Sequence, residues 1–377
     1  MARGFDQAIR VGFDDQIFEA QTRGGVSKYF VELIERLPNH GIEPVILSTQ
    51  TRNVHLAESG LVPAASDRSR AIEQLAWASW RLVGQPRSSP RVQPPLDVMH
   101  HTFTHSAYLD GWRGPRVLTV YDMTPELFPE YFRLGNPHLA KRRYAEVSDA
   151  VIAISENTAR DMFRLFDIDG LPAKTTVVPL GVDGRFMVDR DDIRLRLPSR
   201  YLLFVGIRSG YKDFSTALAA WARLAADDPS LEFVVVGGGP FSRSEKRQIA
   251  LSGDVARVHH LVPNDEQIVE VYRRALALVF PSRYEGFGLP TLESLATGTP
   301  VVLADASCSR EVGGTAALYF APGNVDELVD RLAAAMSPES EAVMGARGPA
   351  YAAEFSWDRT AALTADVYRR VARRSAS

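Results

Sequence analysis

The sequence predicts an α/β protein with two domains, each built on a parallel sheet flanked by helices. The chain has 377 residues, which is more than one hydrophobic core usually serves. Short β-rich segments alternate with longer amphipathic segments in each half, and this alternation indicates parallel strands joined by crossover helices. The charged, weakly patterned stretch 183–200 separates the halves. We therefore expect two Rossmann-like domains facing a cleft, at residues 1–185 and 186–355.

The first half contains five predicted strands, and its two clearest helices are amphipathic. Tyr29, Phe30 and Leu33 recur at helical spacing on one face of the first helix, together with Ile34 and Leu37. Ser155 is placed to cap the start of the second helix. The predicted strands are 9–13, 43–49, 97–103, 116–122 and 150–155, the helices are 24–37 and 156–166, and the segment 175–183 ends this half.

The second half repeats the alternation without repeating the sequence. A strand followed by a helix begins the block, and four more strands follow. The predicted strands are 201–207, 231–239, 256–262, 276–282 and 300–304, and the helices are 213–226, 265–275 and 290–298. The turn VVVGGGP (234–240) lacks the spacing of a dinucleotide-binding fingerprint, so we interpret it as a turn after a strand.

Residues 50–95 differ from the rest, because Ser, Pro and Arg cluster around an apolar segment that holds Trp77 and Trp80. These two side chains lie three residues apart, on one face of a helix. The spacing predicts an additional helix packed on the N-terminal domain. A helix that lies on a membrane surface or binds a substrate is the alternative.

The composition is that of an ordinary globular protein, with 45% hydrophobic and 24% charged residues. The formal net charge of −3 gives no reason to expect nucleic acid as a partner. The single cysteine, Cys308, excludes an internal disulfide and suits a reducing cytoplasm. We see neither a signal peptide nor an apolar run of roughly 18 residues. We expect a cytoplasmic protein, with peripheral contact at the inner face of a membrane left open.

The stretch YEGFGLPTLESLATGTPVVLA, residues 284–304, places two acids around a glycine-rich turn. Pro290 suits the first position of a helix, which would put Glu285 in the preceding loop and Glu293 in the first turn. Gly286 and Gly288 let the backbone approach a ligand closely. Free amides at the start of a helix favour a phosphate.

The strand before this loop would deliver it to the carboxyl edge of a parallel sheet, where open α/β folds bind ligands. A carboxylate beside a phosphate is repelled unless it accepts hydrogen bonds from hydroxyl-rich groups. A phosphate on the amides, with one acid toward each of two sugars, describes a nucleotide-sugar. In the alternative interpretation, Glu293 only offsets the helix dipole and Glu285 is a solvated loop residue.

The segment SRYEGFGLPTLESLATGTPVV resembles the E-x7-E motif of the retaining glycosyltransferases of family four, which have the GT-B fold. The resemblance covers nearly the whole chain except residues 50–95. It implies that the N-terminal domain binds the acceptor, that the C-terminal domain binds the donor, and that a final helix at 356–374 packs back on the N-terminal domain. The segments that carry it are QTRGGVSKYFVELIERL, AISENTARDMF, VVPLGVD, VGIRSGYKDFSTALAAWARL and FSWDRTAALTADVYRRV.

The resemblance implies a role for each part of the motif. Glu285 is expected to contact the donor sugar near the reacting centre, and Glu293 to hold the ribose hydroxyls. The backbone of Gly286, Phe287, Gly288 and Leu289 is expected to face the diphosphate or the sugar. Three residues at the end of a later strand, Leu261, Val262 and Pro263, are expected near the nucleobase.

Two cations and two glycines are expected to complete the donor site. Arg208 and Lys212 follow a strand and can reach the same diphosphate, although two solvated loop cations are the alternative. In the family this pair neutralises the departing diphosphate, so no metal or other cofactor is expected. Gly24 and Gly25 open the first helix and can bring its backbone to the diphosphate or the acceptor. A flexible loop is their alternative.

The pair Tyr121–Asp122 departs from the family, in which a His-Asp pair is frequent and the histidine contacts the donor sugar. A tyrosine titrates near 10, so Tyr121 is a poor base at neutral pH. Retaining enzymes of this kind are thought to react on one face of the sugar, where the leaving phosphate oxygen accepts the proton, so no protein base is required. Asp122 is expected to orient the acceptor hydroxyl or to cap the end of its strand.

Three histidines near the third strand invite the question of a metal. His101 and His105 would share a face of a strand, with His100 on the other face. We expect contact with the acceptor, or packing, and no metal site.

The sequence therefore predicts a retaining, metal-independent glycosyltransferase. It would move a hexose from a nucleoside-diphosphate sugar, GDP-mannose or a UDP-hexose, to a hydroxyl of a glycan, a lipid-linked sugar or a small molecule. The pattern resembles bacterial polysaccharide mannosyltransferases most. A nucleotide-sugar epimerase and a catalytically inactive nucleotide-sugar-binding partner in a glycan assembly are the alternatives.

Overall fold

The computed structural model describes residues 8–64, 95–132, 138–188, 195–208, 210–253 and 255–376. The chain forms two compact units. The first extends to Leu180 and includes the C-terminal residues from Trp357, and the second extends from Gly181 to Ser356. The predicted boundary, after residue 185, lies a few residues farther along the chain. The helix predicted around Trp77 and Trp80 lies outside the described residues.

The first unit is built on a six-stranded parallel sheet. Short helices join the strands, and a long C-terminal helix packs back on this unit. In spatial order the strands are β2 (Ile42–Ile46), β1 (Ile9–Phe13), β3 (Val98–His101), β4 (Arg116–Val120), β5 (Ala150–Ala153) and β6 (Thr175–Val177). The α-helices are α1 (Gln16–Ala20), α2 (Gly25–Arg36), α3 (Val54–Glu58), α4 (Thr124–Leu127), α5 (Lys141–Val147), α6 (Glu156–Phe166), α7 (Leu171–Lys174) and α15 (Trp357–Ala376).

The predicted face of α2 forms part of the core of the first unit, as helical periodicity requires. All five apolar residues predicted for this helix are buried, namely Tyr29, Phe30, Leu33, Ile34 and Leu37, although α2 ends at Arg36 and Leu37 follows it. The hydroxyl of Ser155 accepts a hydrogen bond from the Thr158 amide at the start of α6, which confirms the predicted N-cap.

The strand predicted at 97–103 is shorter in the structure and ends at His101. The Thr102 amide donates to the carboxylate of Asp14 at 3.0 Å instead of continuing the ladder between strands. The prediction that His105 shares a strand face with His101 is therefore wrong. His105 instead precedes the 3-10 helix Ser106–Gly111, and its imidazole Nδ1 accepts a hydrogen bond from the Ala107 amide.

The second unit is built on another six-stranded parallel sheet. In spatial order its strands are β12 (Leu318–Phe320), β11 (Val301–Ala304), β10 (Ala277–Phe280), β7 (Tyr201–Val205), β8 (Glu232–Val236) and β9 (Val258–Leu261). The α-helices are α8 (Phe214–Asp227), α9 (Arg243–Ser252), α10 (Gln267–Arg273), α11 (Leu289–Ala296), α12 (Ser309–Gly313), α13 (Val325–Ala335) and α14 (Pro338–Ala352).

Aromatic side chains form the centre of the second core, between the sheet and α8. Phe233 stacks on Phe214 and on Trp221, with ring centres 6.0 and 5.9 Å apart, and Phe204 meets Phe214 edge to face. All four side chains are buried. Because large apolar side chains dominate the free energy gained on burial, this cluster holds the strands that support the loops described below.

Each sheet has one place where the strand order reverses, between β1 and β3 in the first unit and between β7 and β10 in the second. In open α/β sheets the loops after such a pair of strands diverge and leave a crevice that binds ligands. In the described part of the chain, no helix is both long enough and apolar enough to cross a membrane.

Candidate functional site

The loops that follow β7 and β10 are tied together at the carboxyl edge of the second sheet. We call this place, made of residues 206–208, 210–213 and 281–288, the β7–β10 edge. The Arg283 amide donates to the carbonyl of Tyr211 at 2.8 Å, and the Arg283 guanidinium pairs with Asp213 at 3.0 Å. Two loops distant in sequence therefore form one surface at the point where the strand order reverses.

An ion pair between Lys212 and Glu285 occupies the β7–β10 edge. The ammonium Nζ lies 2.5 Å from Oε1 of the carboxylate, and each side chain is 16% exposed. The rings of Tyr211 and Phe280 lie beside the ammonium, each with its centre 5.6 Å away. The site therefore holds one cation and one carboxylate in contact, a pair that can meet an anion and a hydroxyl side by side.

The loop of Glu285 leads into α11 one residue earlier than predicted. Gly288 is the N-cap, with φ of +94°, and the helix begins at Leu289, so Pro290 takes the second helical position. A glycine at this φ avoids the strain that a side chain would introduce. The prediction that Glu293 lies in the first turn is therefore wrong, because Glu293 is the fifth residue of α11.

Glu293 contacts the interior of the second unit at one of its oxygens. The buried hydroxyl of Tyr272 donates to Oε2 of Glu293 at 2.7 Å. Burial, together with the neighbouring carboxylate, raises the pKa of Tyr272 well above its ordinary value, so the hydroxyl remains a donor. Tyr272 thus fixes the orientation of Glu293. No pattern in the sequence indicated the contact between these two residues.

The backbone of the Glu285 loop is held by Ser307 and Cys308, which follow β11. The hydroxyl of Ser307 accepts a hydrogen bond from the Glu285 amide at 3.0 Å. The thiol of Cys308 donates to the carbonyls of Glu285 and Phe287, at 3.3 and 3.1 Å. Sequence reasoning used Cys308 only to judge the redox compartment and missed this contact, because 23 residues separate the thiol from Glu285.

Arg208 points away from Lys212, toward the glycine turn after β8. Its guanidinium pairs with Glu245 at 2.7 Å and donates to the carbonyls of the turn that begins at Gly237. The side chain is 2% exposed, with the ring of Phe241 above it at 4.8 Å. Gly237 is required here because a Cβ would approach the Gly206 carbonyl oxygen to 3.0 Å.

Glu245 is the N3 residue of a capping box with Ser242 at the start of α9. Burial alone would raise the pKa of Glu245, but hydrogen bonds from Arg208 and Ser242 outweigh it and lower the pKa to about 2. Glu245 is therefore a carboxylate at neutral pH and neutralises Arg208. Sequence reasoning missed both Glu245 and Phe241, although the capping-box spacing was visible.

Apolar side chains are exposed at the carboxyl ends of β7 and β9. Val262 is 84% exposed and Ile207 is 46% exposed, whereas Leu261 is half-buried. Their strands are the two neighbours of β8, so these side chains border the glycine turn. Such a surface suits a flat, weakly polar group. The contact of Leu261 and Val262 with the nucleobase stays a prediction.

In the first unit, Asp14 and His101 meet at the edge between β1 and β3. Nδ1 of His101 lies 2.7 Å from the Asp14 carboxylate, which also accepts hydrogen bonds from Thr102 and Gln16. Burial would raise the pKa of Asp14, but these bonds lower it. Nε2 of His101 is buried and has no hydrogen-bond partner among the described residues.

The remaining predicted residues lie at strand and helix ends of the first unit. Asp122 accepts a hydrogen bond from the Thr124 amide at 2.8 Å, which is the strand-end cap that the sequence left as one of two roles. The ring of Tyr121 packs edge to face on Tyr29, and burial raises the pKa of Tyr121 well above 10. Gly24 is the N-cap of α2, and Gly25 is its first residue.

The structure thus divides the predicted residues between its two units. It brings Lys212 and Glu285 together with the loop backbone from Gly286 to Leu289. It separates Arg208 from Lys212. Gly24, Gly25, Tyr121 and Asp122 belong to the first unit.

Comparison with known proteins matches both halves of the chain in succession. Residues 23–185 match the model of Glycosyltransferase Family 4, and residues 188–349 match that of Glycosyl transferases group 1. The D-inositol 3-phosphate glycosyltransferase of Streptosporangium roseum is 30% identical over 92% of this chain and 88% of its own. The O-antigen chain mannosyltransferase B of Escherichia coli is 24% identical over 92% of this chain and 96% of its own.

The fold has solved counterparts along its full length. The crystal structure of Anabaena HepE in complex with UDP and glucose aligns with a TM-score of 0.67 at 18% identity, over 96% of this chain and 100% of the other. Two six-stranded parallel sheets and a last helix that packs back on the first unit are the elements of the GT-B fold. With both halves matched to family models and a relative of 30% identity aligned over most of each chain, this protein belongs to the family 4 glycosyltransferases and has the GT-B fold.

Proposed function

We propose that this glycosyltransferase is retaining and metal-independent, and that it moves a hexose from a nucleoside-diphosphate sugar to a hydroxyl of an acceptor. The observation that carries the proposal is the contact between Lys212 and Glu285 at the β7–β10 edge. A diphosphate attracts the ammonium, and the hydroxyls of the attached sugar donate to the carboxylate. One ion pair thus offers a partner to each half of the donor.

The donor diphosphate meets Lys212 and the amides at the start of α11, as the phosphate preference of helix N-termini suggests. Lys212 supplies the positive charge that a metal would otherwise bring. Arg208 adds to it after exchanging Glu245 for the diphosphate. Glu293 accepts hydrogen bonds from the ribose hydroxyls, oriented by Tyr272. The exposed apolar side chains beside the glycine turn contact the nucleobase.

For the donor we propose GDP-mannose or a UDP-hexose. The E. coli relative is named a mannosyltransferase, and the Anabaena structure contains UDP and glucose. For the acceptor we propose a hydroxyl of a glycan, a lipid-linked sugar or a small polyol. The Streptosporangium relative is named for an inositol phosphate. A lipid-linked acceptor would bring the protein to the inner face of a membrane.

The transfer breaks the bond between the anomeric carbon and the phosphate oxygen, and forms the bond to the acceptor oxygen on the same face of the sugar. The acceptor proton goes to the leaving phosphate oxygen. Tyr121 does not serve as the base, because burial keeps its hydroxyl protonated. We place the acceptor in the first unit, at the edge between β1 and β3 where Asp14 and His101 meet.

The first test is calorimetric binding of GDP, UDP, ADP and TDP to the wild type and to Glu293→Ala. We expect selective binding of one nucleotide, weakened about 10- to 100-fold by the substitution, since hydrogen bonds to a charged group are lost. Tyr272→Phe is the matched control, because it breaks the same contact but leaves the carboxylate. Its affinity should change much less.

Product analysis then separates the candidate activities, with the sugar form of the selected nucleotide as donor. Transfer that persists in a chelator and retains the anomeric configuration supports the proposal. Conversion of the donor without an acceptor would identify an epimerase, and binding without turnover would identify an inactive partner. A folded protein that binds none of the four nucleotides would rule out the donor site.

A further inference from the structure

We propose that Ser307 and Cys308 are positioning residues of the donor site, which hold the backbone of residues 285–287 so that the Glu285 carboxylate meets the donor sugar. The inference rests on the proposed function for the identity of the ligand. It concerns a pair of residues outside the glutamate motif, at the turn after β11. Neither residue is placed to touch the donor through its own side chain, since both hydrogen-bond to the loop backbone.

The contacts enclose Gly286 from both sides. Ser307 accepts from the Glu285 amide at 3.0 Å, and the thiol of Cys308 donates to the Glu285 carbonyl at 3.3 Å and to the Phe287 carbonyl at 3.1 Å. Three backbone groups of a loop that contains two glycines are thus bound to two consecutive residues. Glycine has the greatest backbone conformational freedom of any residue. These hydrogen bonds therefore restrict the loop at the position where its backbone is most free to move.

The turn that presents these groups is itself constrained. Ser307 has a φ of +47°, in the left-handed region that residues other than glycine rarely adopt. Strained backbone of this kind persists where the surroundings determine it, and often at functional sites. Cys308 is 1% exposed, and burial raises the pKa of its thiol. The thiol therefore keeps its single hydrogen, which the two carbonyls share.

Lys212 holds the Glu285 side chain at its far end, the carboxylate. If the backbone of the loop shifts, the Glu285 carboxylate and the loop amides shift relative to the sugar. Glu293 belongs to α11, so its contact with the ribose is unaffected. Loss of the Cys308 contact should therefore reduce the rate of transfer more than nucleotide affinity. Displacement of reacting groups by about 1 Å can reduce a rate about 100-fold.

The first experiment measures hydrogen exchange of the peptide that spans residues 284–288, in full-length wild type, Cys308→Ala and Cys308→Ser. We expect faster exchange at this peptide in Cys308→Ala and partial recovery in Cys308→Ser, whose hydroxyl can still donate. Ser309→Ala is the matched control, since its hydroxyl accepts a hydrogen bond from the Ala306 amide in the same turn and not from the Glu285 loop. Unchanged exchange in folded Cys308→Ala would overturn the role of the thiol, whether or not the protein transfers sugar.

The second experiment measures kcat, KM and nucleoside-diphosphate affinity of the same variants. We expect kcat to fall roughly 10- to 100-fold in Cys308→Ala, with nucleotide affinity within about threefold of wild type and partial rescue in Cys308→Ser. Equal losses in kcat and nucleotide affinity, or no loss, would contradict the positioning role. A wild type that binds no nucleotide would refute the proposed function instead, and the exchange result would still decide whether the pair holds the loop.

Discussion

Arg208 and Lys212 lie four residues apart, yet the structure gives them opposite surroundings. Lys212 faces Glu285 at the β7–β10 edge, whereas Arg208 is buried against Glu245 and the carbonyls of the glycine turn. A diphosphate therefore meets Lys212 as the partly exposed partner of Glu285, but has to displace Glu245 to reach the buried Arg208. For Arg208, the carboxylate of Glu245 therefore competes with the negative charge of the donor.

Replacing Glu245 with glutamine should tighten binding of the nucleoside diphosphate by roughly three- to tenfold, because the competing negative charge is removed. The amide can still accept the Ser242 backbone bond, so the capping box is retained. Calorimetry measures the affinity. The matched control is Glu327→Gln, the N3 glutamate of α13. Unchanged affinity with lower stability would mean that Arg208 only supports the turn.

At the scale of elements, α15 is held to the first sheet by a buried polar contact. The hydroxyl of Tyr368 lies 2.6 Å from Nδ1 of His100, whose Nε2 lies 2.9 Å from Oγ1 of Thr119. All three side chains are buried. Burial, with a smaller effect of nearby His101, lowers the pKa of His100 from 6.5 to about 3. The helix is therefore attached through a histidine that stays neutral in the folded protein.

This contact predicts an acid-sensitive attachment. Below pH 6.5 the unfolded chain protonates His100 and the folded chain does not until about pH 3, so stability falls as the pH falls through this window. Wild type should lose about 2 kcal/mol more than His100→Gln between pH 7 and pH 5. Urea unfolding at the two pH values measures the difference. Equal losses in both proteins would show that His100 titrates normally.

At the scale of the whole molecule, the two units differ in the number of chain segments that form them. The second is one continuous segment, and its ends pair, because the Val182 amide donates to the carbonyl of Phe355. The first needs α15 from the end of the chain, and buries Val367, Tyr368 and Val371 of that helix. The second unit should therefore be independent, and the first should depend on the C-terminus.

Expressed alone, residues 181–356 should unfold cooperatively, whereas residues 1–180 should not, because the face that α15 covers would be exposed to water. Joining residues 357–377 to 1–180 through a flexible linker should restore cooperative unfolding. Thermal melts followed by circular dichroism compare the three proteins. Cooperative unfolding of 1–180 by itself would show that α15 is dispensable for the first core.

Much of the fold could be predicted from local pattern. The face of α2, the cap at Ser155 and the alternation that produces both sheets depend on neighbouring residues in the sequence. Predicted strands extended too far where a side chain or a glycine ends the ladder, as at Thr102 and at the turn after β8, which begins with Gly237. Such endings depend on a partner such as Asp14, 88 residues away, which periodicity does not reveal.

The sequence by itself determined the two α/β domains and the family. It also determined the grouping of Glu285, the glycines and Glu293, because these follow from spacing within one segment. Only the tertiary structure decided that Lys212 meets Glu285, that Arg208 meets Glu245, and that Cys308 holds the loop. Each of those contacts joins residues that follow one strand to residues that follow another, and Glu245 lies in the first turn of the helix after β8. Which side chains meet there depends on strand order and on the direction of each loop, and these are set by packing of the whole unit.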